Sequence, residues 1–498
     1  MVDDRDALCD LSAVEARRRI GTKELSPVEL LEACIARIEQ LNPAVNAVTA
    51  TDYVRAREAA RTAESAVLAG DPLGPLHGMP VGVKDLSDTA GLLTTYGSPL
   101  FRDHVPERDD GMVARVRAAG AVIFCKTNTP EFGAGANTRN PVWGATGNAF
   151  APLLNAGGSS GGSAVALATG MMPLATGSDT GGSLRIPAAY AGVVGFRPSP
   201  GTVPMNGRPF GWSPLSVQGP MARTVADACL LLSAQAAFDS DDPFSTRIDG
   251  RSFAAPEPVD LGTLRCAVSA DLGFAPVDRS YAAKFKEKVA TLGGLFRSCE
   301  WVAPDFGEAD RCFEIIRAIP YVGRHRETYE RDPSLLGPNV RANYEQGASM
   351  SLADVAWAEM EQTRIYRRVQ RFFEEFDVLL TPTVPVTPFP WQQLYLAELN
   401  GERLRTYFHW LALTYGITLT GHPACSLPVG VDAQGMPFGL QIVGPHKGDR
   451  FTLSVAHALE RAVAHRPALA RPMPDLTRLR TETPELRSIV THPPRPWA

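Results

Sequence analysis

Residues Gly157 to Arg185 read GGSSGGSAVALATGMMPLATGSDTGGSLR. Two glycine-and-serine turns, 157–162 and 179–183, bracket a short apolar segment. Within it Ser163 to Thr169 is small and helix-compatible, Gly170 can end that helix, and Met172 to Thr176 has the length of a buried strand. The pattern sets Ser159 and Ser183, 24 residues apart, at neighbouring element ends. Glycine there lets backbone N–H groups approach a ligand closely. Linkers do not alternate with core-like segments in this way, so a flexible-linker reading is set aside.

A serine hydroxyl is a poor nucleophile until a base takes its proton. The candidate base lies upstream in Gly78-Met79-Pro80-Val81-Gly82-Val83-Lys84-Asp85, where Lys84 ends an apolar run. A lysine so placed is costly unless it is paired or its pKa falls. At an ordinary pKa of about 10.4, only about 0.04% would be neutral at pH 7. Lowering it by about three units would take about 4 kcal/mol of differential destabilisation of the ammonium.

With these residues in place, the chain resembles the amidase signature family. Lys84 in GVKD, Ser159 in GGSSGGS and Ser183 in GSDTGGSLRIPA carry the likeness. It runs from about Leu76 to Thr224, through Lys126–Phe132 and Gly192–Pro198, and resumes at His422–Ala424 and Gly439–Gly444. The resemblance implies Ser183 as nucleophile, Ser159 as a bridging serine at a cis peptide bond, and Lys84 as the neutral base. It implies attack by Ser183, release of amine from an acyl-enzyme, then hydrolysis by water, with no metal or organic cofactor. The backbone N–H groups of Thr180, Gly181, Gly182 and Ser183 are the expected donors to the developing oxyanion. The resemblance supports that assignment and further suggests a substrate contact from the Gly133 carbonyl. Asp179 and Arg185 read as mutually supporting scaffold, and Ser160 and Ser163 as no closer than supporting positions.

Composition bounds the rest. A chain of 498 residues with 44% hydrophobic and 21% charged residues has the make-up of a globular protein with a large core. A net charge of −5 argues against a general nucleic-acid surface. MVDDRDALCD lacks the features of a signal peptide, and no apolar run reaches membrane-spanning length. The eight cysteines are scattered without a C-x-x-C pair, which predicts free thiols in a reducing compartment and a cytoplasmic address.

Along the chain, Ser26-Pro27-Val28-Glu29 opens a helix extending to about Asn42, and a second runs from about Thr51 to Leu68. From Leu73 to about Gln235, strands (Met79–Val83, Ala121–Phe124) alternate with helices such as Gly111–Ala119. This predicts an α/β fold, a single large domain with a central mixed sheet flanked by helices. The expected divisions are N-terminal helices over 1–70, a core over 71–235, and an irregular pocket-forming segment over 236–400. The core sheet returns over 401–465, and a surface-wrapping or partly disordered tail covers 466–498. In the third segment a helix is expected near Asp354–Glu375, and Tyr321, His325, Tyr329 and Trp391 could line a pocket, with ordinary packing the commoner role for each. Tyr96, Trp143 and Trp212 suggest an apolar or aromatic pocket near the motifs.

Three other readings compete. Gly158–Gly162 fits the G-x-S-x-G nucleophile elbow, but that needs a strand before Ser159, where 151–156 reads as loop, and a histidine, of which His422 is the best candidate. A glutaminase subunit of a tRNA-dependent amidotransferase would carry the same Lys84, Ser159 and Ser183 and depend on a partner. A catalytically silent scaffold sits poorly with three filled reactive positions. The reading preferred is a free-standing amidase of fairly broad range, extending to aryl amides, esters or carbamates (urethanes). Its partner is a small amide-type substrate, with neither nucleic acid nor membrane, in a chain free to form a homodimer.

Overall fold

The computed structural model describes residues 4–495; the first three residues of the acidic N-terminal stretch and the last three of the tail lie outside them. Eleven strands form one mixed sheet: β1 (Val48–Thr51), β2 (Pro80–Lys84), β3 (Val122–Thr127), β4 (Leu174–Asp179), β5 (Val194–Arg197), β6 (Val217–Ala222), β7 (Arg265–Val268), β8 (Ser298–Trp301), β9 (Val378–Pro382), β10 (Ala424–Val431) and β11 (Pro437–Val443). Their spatial order is β1-β3-β2-β4-β6-β5-β10-β11-β9-β7-β8. Strand β2 lies parallel to both β3 and β4, whereas the middle of the sheet, from β4 through β9, is antiparallel. The chain is thus a single large α/β domain around a mixed sheet.

Strands β2, β3 and β6 are buried at every residue, as expected where helices cover both faces. The elements foreseen around the glycine–serine turns are present with shifted bounds: the helix covers Gly161–Ala168 rather than Ser163–Thr169, Gly170 follows at φ 72°, and β4 covers Leu174–Asp179 where Met172–Thr176 was expected. At the N-terminus, Ser26 and Glu29 close a capping box on the Pro27–Val45 helix. That helix runs three residues past the expected end, through Pro43, before Asn46 turns left-handed. Gly70 at φ 80° stops the Tyr53–Ala69 helix.

Over 236–400 the helix expected near Asp354–Glu375 is present, but the irregularity expected of the rest is corrected. The segment contributes β7, β8 and β9 to one side of the sheet and four long helices: Arg279–Leu292, Ala309–Arg331, Pro338–Ala348 and Leu352–Glu375. Pro320 lies inside the second of these without ending it. Proline removes one helical N–H, a local cost that burial of Phe313, Ile315 and Ile316 on the same helix outweighs.

The described part of the tail runs along the surface of the domain. Its Leu469, Leu479 and Leu486 are buried, with Leu486 packed beside Ala145 and Trp391. No helix among the described residues is long and apolar enough to cross a membrane.

Candidate active site

Because β2 and β4 are parallel neighbours, with Val81 opposite Leu174 and Gly82 opposite Ala175, their C-terminal ends meet at one edge of the sheet. Lys84 is the last residue of β2; Ser178 and Asp179 close β4. Ligand sites in such sheets gather beyond the carboxyl ends of the strands, where neighbouring connections diverge. The Lys84 amide donates to Thr176 Oγ1 at 3.0 Å, fixing the backbone from which the side chain departs.

Lys84 Nζ is buried and meets three hydroxyls: Ser159 Oγ at 2.7 Å, Ser160 Oγ at 2.8 Å and Ser178 Oγ at 3.0 Å. No carboxylate reaches it at ion-pair distance among the described residues. Burial therefore lowers its pKa to about 7, against a smaller opposing pull from the more distant Asp179 charge. Ser160 was expected to do no more than support; it touches the amine directly, because the turn before the Gly161–Ala168 helix aims both serines inward. Ser178 escaped the sequence reading altogether, and only the parallel pairing of β2 with β4 brings it to Lys84. Ser163 is turned away, with its Oγ on the Thr176 carbonyl and on Thr127 Oγ1.

The Gly158–Ser159 peptide is cis, as the resemblance implied. Ser159 and Ser183 line the same pocket of about 140 Å³, together with Gly133, Thr180 and Gly181. The Ser183 carbonyl accepts from the Ser160 amide at 3.3 Å, which ties the two serine turns together. The Ser183 hydroxyl makes no hydrogen bond within the described protein.

The turn carrying Ser183 is built on Asp179. Its carboxylate accepts from the amides of Gly182 (2.8 Å) and Leu184 (3.2 Å) and from Arg185 (Nε and Nη2, both 3.0 Å), and pairs with Arg197 Nη1 at 3.2 Å. Burial alone would raise this carboxyl, but Arg185 and Arg197 outweigh it and hold it well below the usual carboxylate range. The scaffold reading of Asp179 and Arg185 agrees with this geometry. The expectation that Gly182 offers a free amide does not: its N–H is spent on Asp179, whereas the amides of Gly181 and Ser183 have no acceptor among the described residues. Gly182 is nonetheless required as glycine. Its φ is 129°, and a Cβ would sit 2.3 Å from Thr414 Oγ1.

Gly133 lies at the pocket wall, where a Cβ would come 3.4 Å from Ser159 Oγ; its carbonyl accepts from the Gly135 amide at 3.1 Å. Of the aromatic candidates, Tyr321 and His325 line the pocket. Tyr329 instead stacks on Tyr344, and Trp391 is core. Tyr96 borders an adjoining cleft of about 600 Å³ that shares Phe132, Ser178, Thr180 and Arg324 with the pocket. Trp143 donates to Thr95 Oγ1, and Trp212 stands 82% exposed, so neither forms the pocket. Phe313, Arg317 and Leu411, all unforeseen, complete the wall. The spacing of Phe313, Arg317 and Tyr321, four residues apiece on one helix, was the available signal.

The nucleophile-elbow alternative fails on His422. That ring is buried, bonded to Thr420 Oγ1 at 2.8 Å and Gln370 Nε2 at 2.9 Å, and burial beside His446 lowers its pKa to about 3. Among the described residues no strand directly precedes Ser159; the segment before it makes only two isolated bridges, Asn155 to Gly147 and Leu154 to Pro390.

The Amidase family model matches residues 29–453. An acylamidase of Rhodococcus erythropolis is 34% identical, covering 90% of this chain and 95% of that protein. A glutamyl-tRNA(Gln) amidotransferase subunit from Acidothermus cellulolyticus is 35% identical over 91% of this chain and 95% of its own. Among solved structures, a bacterial aryl acylamidase of the amidase signature family superposes with a TM-score of 0.84 at 28% identity, covering 92% of this chain and 96% of the other.

Proposed function

The chain belongs to the amidase signature family and is an amidase acting on C–N bonds; from that premise we propose that it cleaves carboxylic amides through a Ser183 acyl-enzyme, with Ser159 and Lys84 relaying the proton. The observation that carries this reading is the contact of a buried amine, its pKa near 7, with Ser159 Oγ at 2.7 Å behind a pocket that Ser183 lines. At neutral pH about half of such an amine is uncharged. Its lone pair takes the Ser159 proton while its two remaining N–H groups point to Ser160 and Ser178. Ser159 then accepts from Ser183 as that hydroxyl attacks the acyl carbon. The link between the two serines is not a hydrogen bond in the resting site; it closes when the acyl group is seated, as catalytic contacts in empty sites commonly do.

The amides of Gly181 and Ser183, with Thr180 beside them, receive the oxyanion, and preorganised donors of this kind are worth about 10²–10³ in rate. The same relay run backwards protonates the departing amine and then activates water. Phe132, Phe313, Leu86 and Leu411 give the pocket apolar walls suited to an aryl or alkyl group. That favours aryl amides, with activity on esters or carbamates as an extension, and a free-standing chain at work in the cytoplasm.

A role as glutaminase within an amidotransferase is the second reading, favoured by the 35% identity to the Acidothermus cellulolyticus protein. Assaying the purified chain alone on an anilide, an ester, a carbamate and glutamine separates the two. Turnover of the anilide, abolished in Ser183→Ala, with a fluorophosphonate mapped to Ser183, is the expected result. Glutamine hydrolysis alone, or only on adding an amidotransferase partner, would establish the second reading. Labelling of another serine would overturn the assignment of Ser183.

A further inference from the structure

We propose that Arg317 anchors a carboxylate carried by the substrate, so that the favoured amides bear an anionic group on their acyl or their amine arm; this deepens the hydrolase reading and rests on it. Arg317 stands one turn from Phe313 and one from Tyr321 on the Ala309–Arg331 helix, and all three line the pocket shared with Ser159 and Ser183. The residue is only 7% exposed. Its guanidinium donates to Asn343 Oδ1, to Tyr407 Oη at 2.7 Å and to Tyr321 Oη at 3.5 Å. The rings of Phe408, Tyr321 and Tyr407 lie 4.7, 5.2 and 5.2 Å from its carbon.

Every one of these partners is neutral. Among the described residues no carboxylate pairs with Arg317; Glu314, one turn earlier, goes instead to Arg405 at 3.3 Å. No Asp or Glu among the described residues lines the pocket; its other permanent cation, Arg324, also borders the adjoining cleft, whose wall carries Asp88, Asp109, Asp110 and Asp241, so Arg317 is the one left facing the pocket with no acid on its wall. Buried charges are ordinarily paired, because desolvating one costs several kcal/mol. Here the missing counter-charge faces the space where substrate must sit. The Nε–H has no acceptor among the described residues, and of the two Nη2–H groups one goes to Tyr407 Oη and the other only to Tyr321 Oη at 3.5 Å. A carboxylate that takes the Nε–H and this second Nη2–H replaces one long neutral contact with two charge-assisted hydrogen bonds. A strut role, joining the helix to Asn343 and Tyr407, would account for the hydrogen bonds but not for a buried guanidinium that faces a pocket lined by no acid.

Two substrate pairs test the proposal: glutaryl against butyryl 4-nitroanilide for the acyl arm, and 4-acetamidobenzoate against acetanilide for the amine arm. In one pair the wild type should prefer the carboxylate-bearing member by at least about tenfold in kcat/KM. In Arg317→Met that preference should fall by about 10- to 100-fold, mainly through KM, and Arg317→Lys should keep part of it. The ratio is taken within each variant, so partial loss of folded protein cancels. Calorimetric titration of glutarate and of 4-aminobenzoate reads binding without turnover, and one of them should bind the wild type but not Arg317→Met. Turnover of the neutral amides with no carboxylate preference and no Arg317-dependent binding would overturn the proposal and leave the hydrolase reading standing. Arg317-dependent binding without turnover of any amide would uphold the anion site and sink the hydrolase reading.

Discussion

Lys84 sits at the balance point of two opposed effects. Three hydroxyls could stabilise an ammonium, yet none carries a charge, and burial carries its pKa from the ordinary 10.5 to about 7. That difference corresponds to about 5 kcal/mol against the ammonium in the folded chain. Two consequences follow for pH. The acylation rate should climb along a single-proton limb with its midpoint near pH 7 and level off above it, since only the neutral amine can accept from Ser159. Removing one acceptor of the ammonium, in Ser178→Ala, should move the limb to lower pH; a limb unmoved, or moved upward, would count against Lys84 as the base. Stability follows the same proton. Between pH 7 and 9 the unfolded chain holds a proton that the folded chain has lost, so wild-type stability rises with pH. Relative to Lys84→Met the gain should be about 1 kcal/mol per pH unit in denaturant titrations.

At the scale of elements, the Asp179–Gly182 turn shows how β4 delivers Ser183, the proposed nucleophile, to the pocket. One carboxylate gathers two turn amides and two guanidiniums, all buried, and so fixes the direction in which Ser183 leaves the strand. Breaking such a cluster at its centre leaves two uncompensated cations in the core. Asp179→Asn should therefore cost about 3–5 kcal/mol of stability in urea titrations, well above an average substitution. The depressed carboxyl adds a pH signature. Its contribution is present above the ordinary carboxylate pKa of 3.8 and is lost as pH falls below it. Asp179→Asn should accordingly show less acid destabilisation than the wild type, and an equal or steeper loss would refute the pairing. This turn was readable in advance, because Asp179 and Arg185 flank a Gly-Gly-Ser in the sequence. Ser178 was not, because its contact with Lys84 depends on two strands about 90 residues apart in the chain lying side by side.

At the scale of the whole molecule, the C-terminal segment ties back towards this centre. The C-terminal segment binds the Gly192 carbonyl through Arg471 Nε and the Pro43 carbonyl through the Thr483 amide, and Leu486 packs beside Trp391. The Trp391 carbonyl in turn accepts from Asn137 Nδ2, whose neighbour Thr138 holds the Gly157 carbonyl next to the cis Gly158–Ser159 peptide. Burial of three leucines is worth about 1.5–3 kcal/mol each. Ending the chain after His465 should consequently lower stability by about 5 kcal/mol in guanidinium titrations, and an unchanged midpoint would mark the tail as dispensable.

The sequence alone located Lys84, Ser159 and Ser183, the short helix between the two glycine–serine turns, the Ser26 capping box and the alternation that builds β2, β3 and β4. Each is encoded locally, in glycine placement, caps and apolar period, so a short window suffices to read it. Ser160 and Ser178 against the amine, Gly182 committed to Asp179, and the Ala309–Arg331 helix with Arg317 facing the pocket were decided only by the tertiary structure. Those depend on strand order and on packing between distant segments. There, burial overrides local signals: it carries a helix through Pro320 and leaves a guanidinium without its counter-ion.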